Sequence, residues 1–177
     1  MRLKCYKTLG KKNKHPFWLG ETGARACHGR DSRRWQTEMV AKMTACICSR
    51  KDFHYIGFLW PWRCIPTVKP SDIPTSHNPA DAALYVASAL IDGFEYQKLN
   101  LGKNIQAAKF GPTIMLWSVR GKQLVQLSLD HKQKWVKVDV VGRITPLKIN
   151  NKVYEIHIDK SPVYILTDKK YQELTAF

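Results

Sequence analysis

The sequence predicts an α+β composite: a parallel β/α part followed by an all-β antiparallel sandwich of about eight strands. Three observations predict it. Apolar runs at 17–19 and 53–62 flank a stretch of helical periodicity at 33–49. A second helical pattern at 79–92 opens on Asn78-Pro79 and closes on Gly93. From Phe94 onward the chain changes to short alternating or apolar segments, each closed by a turn signal.

The elements follow in order. Residues 1–14 carry Lys4, Lys7, Lys11, Lys12 and Lys14 and read as a basic tail. In His15-Pro16-Phe17-Trp18-Leu19-Gly20-Glu21-Thr22-Gly23 a short apolar run stops at glycines, the pattern of a buried strand ending in a tight turn. Residues 24–31, rich in Arg and Gly, read as a loop, with Asp31 or Ser32 placed to cap the next helix. That helix, at 33–49, has Trp35, Met39, Val40, Met43, Ala45 and Ile47 as its apolar residues, expected to be core packing. The run at 53–62 is almost unbroken in apolarity and rich in aromatics, as in a strand buried on both faces, and Pro61 ends it. Strand, helix and strand make a βαβ unit whose two strands run parallel.

Pro66, Pro70 and Pro74 mark residues 64–76 as a surface loop. Asn78 is then a good N-cap, Pro79 suits the first helical position, and Asp81 falls in the positively polarised first turn. Gly93 is the natural left-handed stop. Strands are expected at 94–101, 104–110, 113–120, 124–129, 135–141, 144–149, 153–158 and 162–167. Alternation is clean in Leu124-Val125-Gln126-Leu127-Ser128-Leu129 and in Trp135-Val136-Lys137-Val138-Asp139-Val140, so one face of each meets a core and the other meets water. Asp139, His157 and Asp159 fall at turn or solvent-face positions, where solvation explains them.

Charge and composition limit the function classes. The 177 residues suit one large or two small domains. Lys and Arg number 29 against 14 acidic residues, a formal charge of +15, which fits a polyanionic partner. After Gly102, however, the lysines are scattered singly along strands, as on a solvated sheet face. No apolar run approaches the ~20 residues of a membrane span, and no apolar segment follows the basic start as in a secretory leader. The five cysteines, Cys5, Cys27, Cys46, Cys48 and Cys64, are odd in number and crowd the first third. Free buried thiols in a cytoplasmic setting are the expected state. Cys46 and Cys48 point to different helix faces and Cys27-His28 is adjacent, so neither pair has metal-ligand spacing.

The chemistry concentrates at one rim. Parallel strands carry the ends of 17–19 and 53–62 to the same side, which gathers Glu21, Trp60 and Trp62. A carboxylate fixed at such a strand end can act as nucleophile or as general acid or base in glycoside hydrolysis. An indole face offers a floor to the C–H face of a sugar ring. The alternatives are an exposed Glu in a turn and two tryptophans that cap the core.

These parts resemble the C-terminal portion of a clan-A-type retaining glycoside hydrolase, a β/α (TIM-type) barrel with a small β-sandwich appended. His15 to Gly23 looks like the seventh barrel strand, whose end bears the nucleophile in a pattern like Pro-aromatic-Trp-x-x-Glu-x-Gly. The run at 53–62 looks like the eighth strand, whose terminal Trp lies under the sugar, and 79–92 looks like the eighth helix. Val138-Asp139-Val140-Val141-Gly142, Tyr154-Glu155-Ile156-His157-Ile158 and Ser161-Pro162-Val163-Tyr164-Ile165 look like the closing sandwich strands. The resemblance implies a partial barrel at 15–93 and a sandwich at 94–177. It makes Glu21 the catalytic nucleophile, Trp60 and Trp62 substrate-binding residues, and carbohydrate the partner. It implies no cofactor and no metal.

A full barrel takes about 250 residues, whereas twenty precede Glu21. The acid/base carboxylate, which the family carries on the fourth strand, has no counterpart. Glu38 is expected on the outside of the barrel, Asp52 at the opposite rim, and Asp72 in a loop. The chain taken alone is therefore expected to be an inactive fragment, open to self-association through the incomplete barrel. Residues before Gly93 are expected to pack poorly, with apolar surface on Trp18, Phe58 and Trp60. The competing functions are a non-catalytic carbohydrate-binding or assembly module and, ranked lowest, a basic nucleic-acid-binding protein.

Overall fold

In the computed structural model, strand β1 (Phe17–Thr22) and strand β2 (Phe53–Phe58) lie side by side in parallel, joined through helix α1 (Gly29–Cys48). The structure describes residues 17–22, 29–50, 53–58, 79–150 and 152–176, with backbone alone at 17–22, 29–33 and 53–58. Parallel neighbours need a long crossover, which the 20 residues of α1 supply. The helix begins at Gly29, earlier than expected, so Asp31 and Ser32 lie within its first turn rather than capping it. Polar residues suit either place, which is why sequence pattern located this start poorly.

Helix α2 (Pro79–Ile91) opens on proline, carries Asp81 in its first turn and is followed by Gly93 at φ +73°. Its Ala80, Ala83, Ala87, Leu90 and Ile91 form one buried ridge. Three alanines there let a helix approach its neighbour closely.

Nine strands follow: β3 (Tyr96–Leu99), β4 (Ile105–Phe110), β5 (Thr113–Ser118), β6 (Gln123–Leu127), β7 (Trp135–Asp139), β8 (Ile144–Pro146), β9 (Ile149–Asn150), β10 (Val153–Ile158) and β11 (Val163–Thr167). They form two antiparallel sheets, ordered β3-β4-β5-β11-β7-β8 and β6-β10-β9. The strand expected at 144–149 divides: β8 joins the larger sheet and β9 the smaller. A chain that changes sheets must bend at the corner, and it does so just after Pro146. Helix α3 (Asp168–Thr175), which the sequence reading did not include, starts where the Lys170 N–H donates to Thr167 Oγ1 at 3.2 Å. The architecture is thus mixed α+β, with few helices and two antiparallel sheets.

The larger sheet is covered on both faces. Phe110, Met115, Val136, Val138, Tyr164 and Leu166 pack with Val40, Ala41, Ala45 and the α2 ridge. Ala107, Leu116, Val163 and Ile165 pack with Val125, Leu127, Ile156 and Ile158 of the smaller sheet. Strand β11 therefore reads as four buried residues in a row, Val163 to Leu166. Both helices of the segment before Gly93 pack against the larger sheet. The side chains of Trp18 and Phe58, and all of Trp60, lie outside the described residues. Trp35, expected in the core, is 49% exposed, whereas Gln36, Thr37, Glu38 and Thr44 are buried. Tertiary packing buries Val40, Ala41, Met43, Ala45 and Ile47 of α1 and leaves the indole outside.

Candidate functional site

The candidate rim is the carboxyl end of β1 and β2. Phe17 pairs with Phe53, Trp18 with Tyr55, Leu19 with Ile56 and Thr22 with Phe58. Between Leu19 and Thr22 the register slips, so that three steps along β1 match two along β2. Gly20 and Glu21 occupy that irregularity. An inserted residue of this kind bends a strand and re-aims a side chain, and such bulges are frequent beside active sites. Gly20 was the sequence signal for it, since a strand glycine often marks a bulge. Glu21 lies one residue from the end of β1, and Phe58 ends β2 on the same side. Trp60 and Trp62 follow by two and four residues in sequence and lie outside the described residues, as do Asp52 and Asp72.

Helix α1, the crossover between the two strands, is anchored by an ion cluster. Arg34 Nε donates to Glu38 Oε1 at 3.0 Å, and Arg34 Nη2 donates to Asp159 Oδ2 at 3.1 Å. Lys42 Nζ lies 3.6 Å from Glu38 Oε2 and 6.0 Å from the centre of the Trp117 ring. Glu38 is thereby a buried, doubly paired carboxylate, not a free group on an outer surface. Arg34, held by Glu38 and then Asp159, is pushed above its ordinary value. Burial pulls Lys42 down, against the opposing pull of Glu38. Asp159, which the sequence left to solvation, also accepts the Ser161 N–H at 2.7 Å and so closes the turn between β10 and β11. Spacing along α1 hints at Arg34, Glu38 and Lys42 as neighbours; the fourth member, 125 residues from Arg34, could not be read there.

The second anchor is α2. At the turn after β7, Asp139 Oδ1 accepts the N–H groups of Val141 and Arg143, both at 2.9 Å. Gly142 in that turn has φ +92°, and a Cβ there would stand 3.1 Å from Val86 of α2. The turn and the helix are thus in close apposition, and the β/α part and the sheets share one core.

Cys46 and Cys48 are free, half-buried thiols. Burial, reinforced by Asp92 with its Oδ1 3.9 Å from the sulfur, pushes the Cys48 thiol up to about 12. It is protonated at neutral pH and is no nucleophile. Among the described residues no group of three His, Cys, Asp or Glu side chains could hold a metal. No helix among them is long and apolar enough to cross a membrane.

Among solved structures, the chain is similar to a family 39 glycoside hydrolase from the gut symbiont Bacteroides cellulosilyticus WH2. The TM-score is 0.71 over 93% of the chain, at 14% identity. The chain spans 37% of that enzyme. An α-amylase from Anoxybacillus is a weaker likeness, with TM-score 0.49 and 13% identity over 86% of this chain and 38% of that one. No protein-family model matches the chain, nor does any curated protein. At such identity the likeness establishes a glycoside-hydrolase type of fold.

Proposed function

We propose that the chain is the C-terminal portion of a clan-A-type retaining glycoside hydrolase. In this reading β1 and β2 are the last two strands of a TIM-type barrel and α2 is the last barrel helix. The two antiparallel sheets are the appended sandwich. The observation that supports it best is the superposition on the family 39 enzyme, which takes in the parallel and the antiparallel parts together. The domains are then a basic tail at 1–14, the partial barrel at 15–93 and the sandwich at 94–177.

Glu21 is the nucleophile in this reading, and Trp60 and Trp62 form the floor beneath the sugar. A retaining mechanism requires a second carboxyl group about 5–5.5 Å away to protonate the leaving oxygen. Glu38 is committed to Arg34 and Lys42, and the sequence offers Glu21 no better partner. Turnover therefore belongs to the complete barrel, and these residues alone bind a glycoside without cleaving it.

The test uses the purified chain with a panel of aryl glycosides. No phenolate release is expected. Tryptophan fluorescence should report binding, weakened roughly 3–10-fold in Trp60→Ala, as for loss of one aromatic contact. Release that vanishes in Glu21→Gln would refute inactivity while supporting the role of Glu21. Binding indifferent to Glu21→Gln, Trp60→Ala and Trp62→Ala would sink the site altogether.

A further inference from the structure

A second site lies away from this rim, in the groove where the two sheets part. The groove has a volume of about 330 Å³ and opens between β7–β8 of the larger sheet and β9–β10 of the smaller. Its least ordinary member is Lys137. Side chains alternate along β7: Val136 and Val138 face the helices, whereas Trp135 packs toward the smaller sheet. Lys137 therefore points, with Trp135, into the space between the sheets. Its partners across the ladder are Thr145 and the fully buried Ile165. A lysine in a row of apolar residues lays its stem on that surface and carries its ammonium out to the opening. Among the described residues no ion pair or hydrogen bond holds that ammonium.

The rest of the lining has a consistent chemistry. Lys148 and His157 bring further N–H donors, Thr145 and Asn150 bring neutral polar groups, and Pro146 and Leu147 form an apolar strip. Glu155, the acidic group in the lining, is engaged by Gln126 Nε2 at 3.3 Å. No Phe, Tyr or Trp side chain lines the groove and His157 is its one aromatic ring, so it lacks the row of platforms that stacks successive nucleobases.

We infer that this groove binds an anionic saccharide, a sugar chain bearing carboxylate or sulfate groups. The ammonium groups of Lys137 and Lys148 meet the acidic groups, Thr145 and Asn150 meet hydroxyls, and the Pro146–Leu147 strip meets a C–H face. The anionic part of the inference stands on the groove alone. The choice of a saccharide rests on the glycoside-hydrolase reading above. The groove excludes Glu21, so binding here and chemistry there are separable.

Calorimetric titration of the whole chain tests it with tetragalacturonate, a sulfated tetrasaccharide of equal charge, cellotetraose and a single-stranded oligonucleotide. One or both acidic sugars should bind, and whichever binds names the acidic group recognised. Binding should fall about tenfold in Lys137→Met, as when a charge-assisted hydrogen bond is lost, and should be retained in Lys137→Arg. Lys148→Ala, on an exposed side chain, gives a second reading if Lys137→Met fails to fold. Cellotetraose binding as tightly as the acidic sugars, or acidic-sugar binding unchanged in both variants, overturns the site. An oligonucleotide that binds more tightly with the same Lys137 dependence overturns the saccharide. The loss of acidic-sugar binding caused by Lys137→Met should be equally large in the Glu21→Gln background, so a failed glycosidase reading and a failed groove give different results.

Discussion

The two faces of the six-stranded sheet are built differently. The buried residues of the face toward the smaller sheet are aliphatic, with β-branched Val125, Ile156, Ile158, Val163 and Ile165 packed together and Trp135 at the margin. The face toward the helices combines alanines with large side chains, and its polar atoms are awkward. Tyr164 is fully buried, and its hydroxyl and Thr113 Oγ1 lack a hydrogen-bond partner among the described residues. Cys48 packs at the margin of the same cluster. One face is a self-sufficient sheet-on-sheet core. The other is a docking surface that holds α1 and α2, and through α1 the rim bearing Glu21, against the sheets. The first face is the smaller buried cluster and the second the larger, and the position of the candidate site depends on the second.

The largest effect should come from the aliphatic face. Ile165→Ala removes most of a fully buried side chain, and a cost of about 2–5 kcal/mol is expected in a denaturant melt. A smaller loss would show that the sheet-on-sheet core can collapse around the cavity and is less tightly packed than described.

A smaller and more local effect should come from the helix face. Ala87 is fully buried in α2, and Ala87→Leu forces methylenes into a filled interface at about 1–3 kcal/mol. Amide exchange should rise in α1 and α2 while β6 and β10 stay protected. Equal loss of protection in both sheets would erase the distinction between the faces.

The smallest effect is the pH dependence. Cys48 is raised from an ordinary 9.0 to about 12, and burial pushes the Tyr164 hydroxyl up as well. Both groups favour the protonated form when folded. The stability they contribute is fully present below pH 9 and declines as pH rises toward about 12. Alkaline melts should show this decline, and Cys48→Ala should flatten its lower part. An unchanged slope in that variant would remove the thiol from the account. The buried residues packed between the two sheets are all apolar, so none of them adds a slope of its own.

Much of the fold was legible in the residues, because it rests on local chemistry. Pro79, Asp81 and Gly93 bounded α2, and glycines at turns separated the strands. Strand β11 was legible as a strand at 162–167, while its burial on both faces emerged only from the packing. Helix α3 was missed because its residues are polar and Thr167 is a modest cap on its own. The candidate site was legible only as residue types. Glu21 stood out as a carboxylate after an apolar run, but the register slip beside it depends on β2, a partner more than thirty residues away.

By itself the sequence determined the period of each segment, its turns and its caps, since these depend on neighbours a few residues apart. Only the tertiary structure decided which sheet each strand joined, that 144–149 would divide between two sheets, and that Trp35 would face outward while Glu38 was buried. Those outcomes depend on which distant surfaces fit closely enough to exclude water, and on an ion cluster that spans 125 residues. A distant fit leaves no periodic trace in the chain.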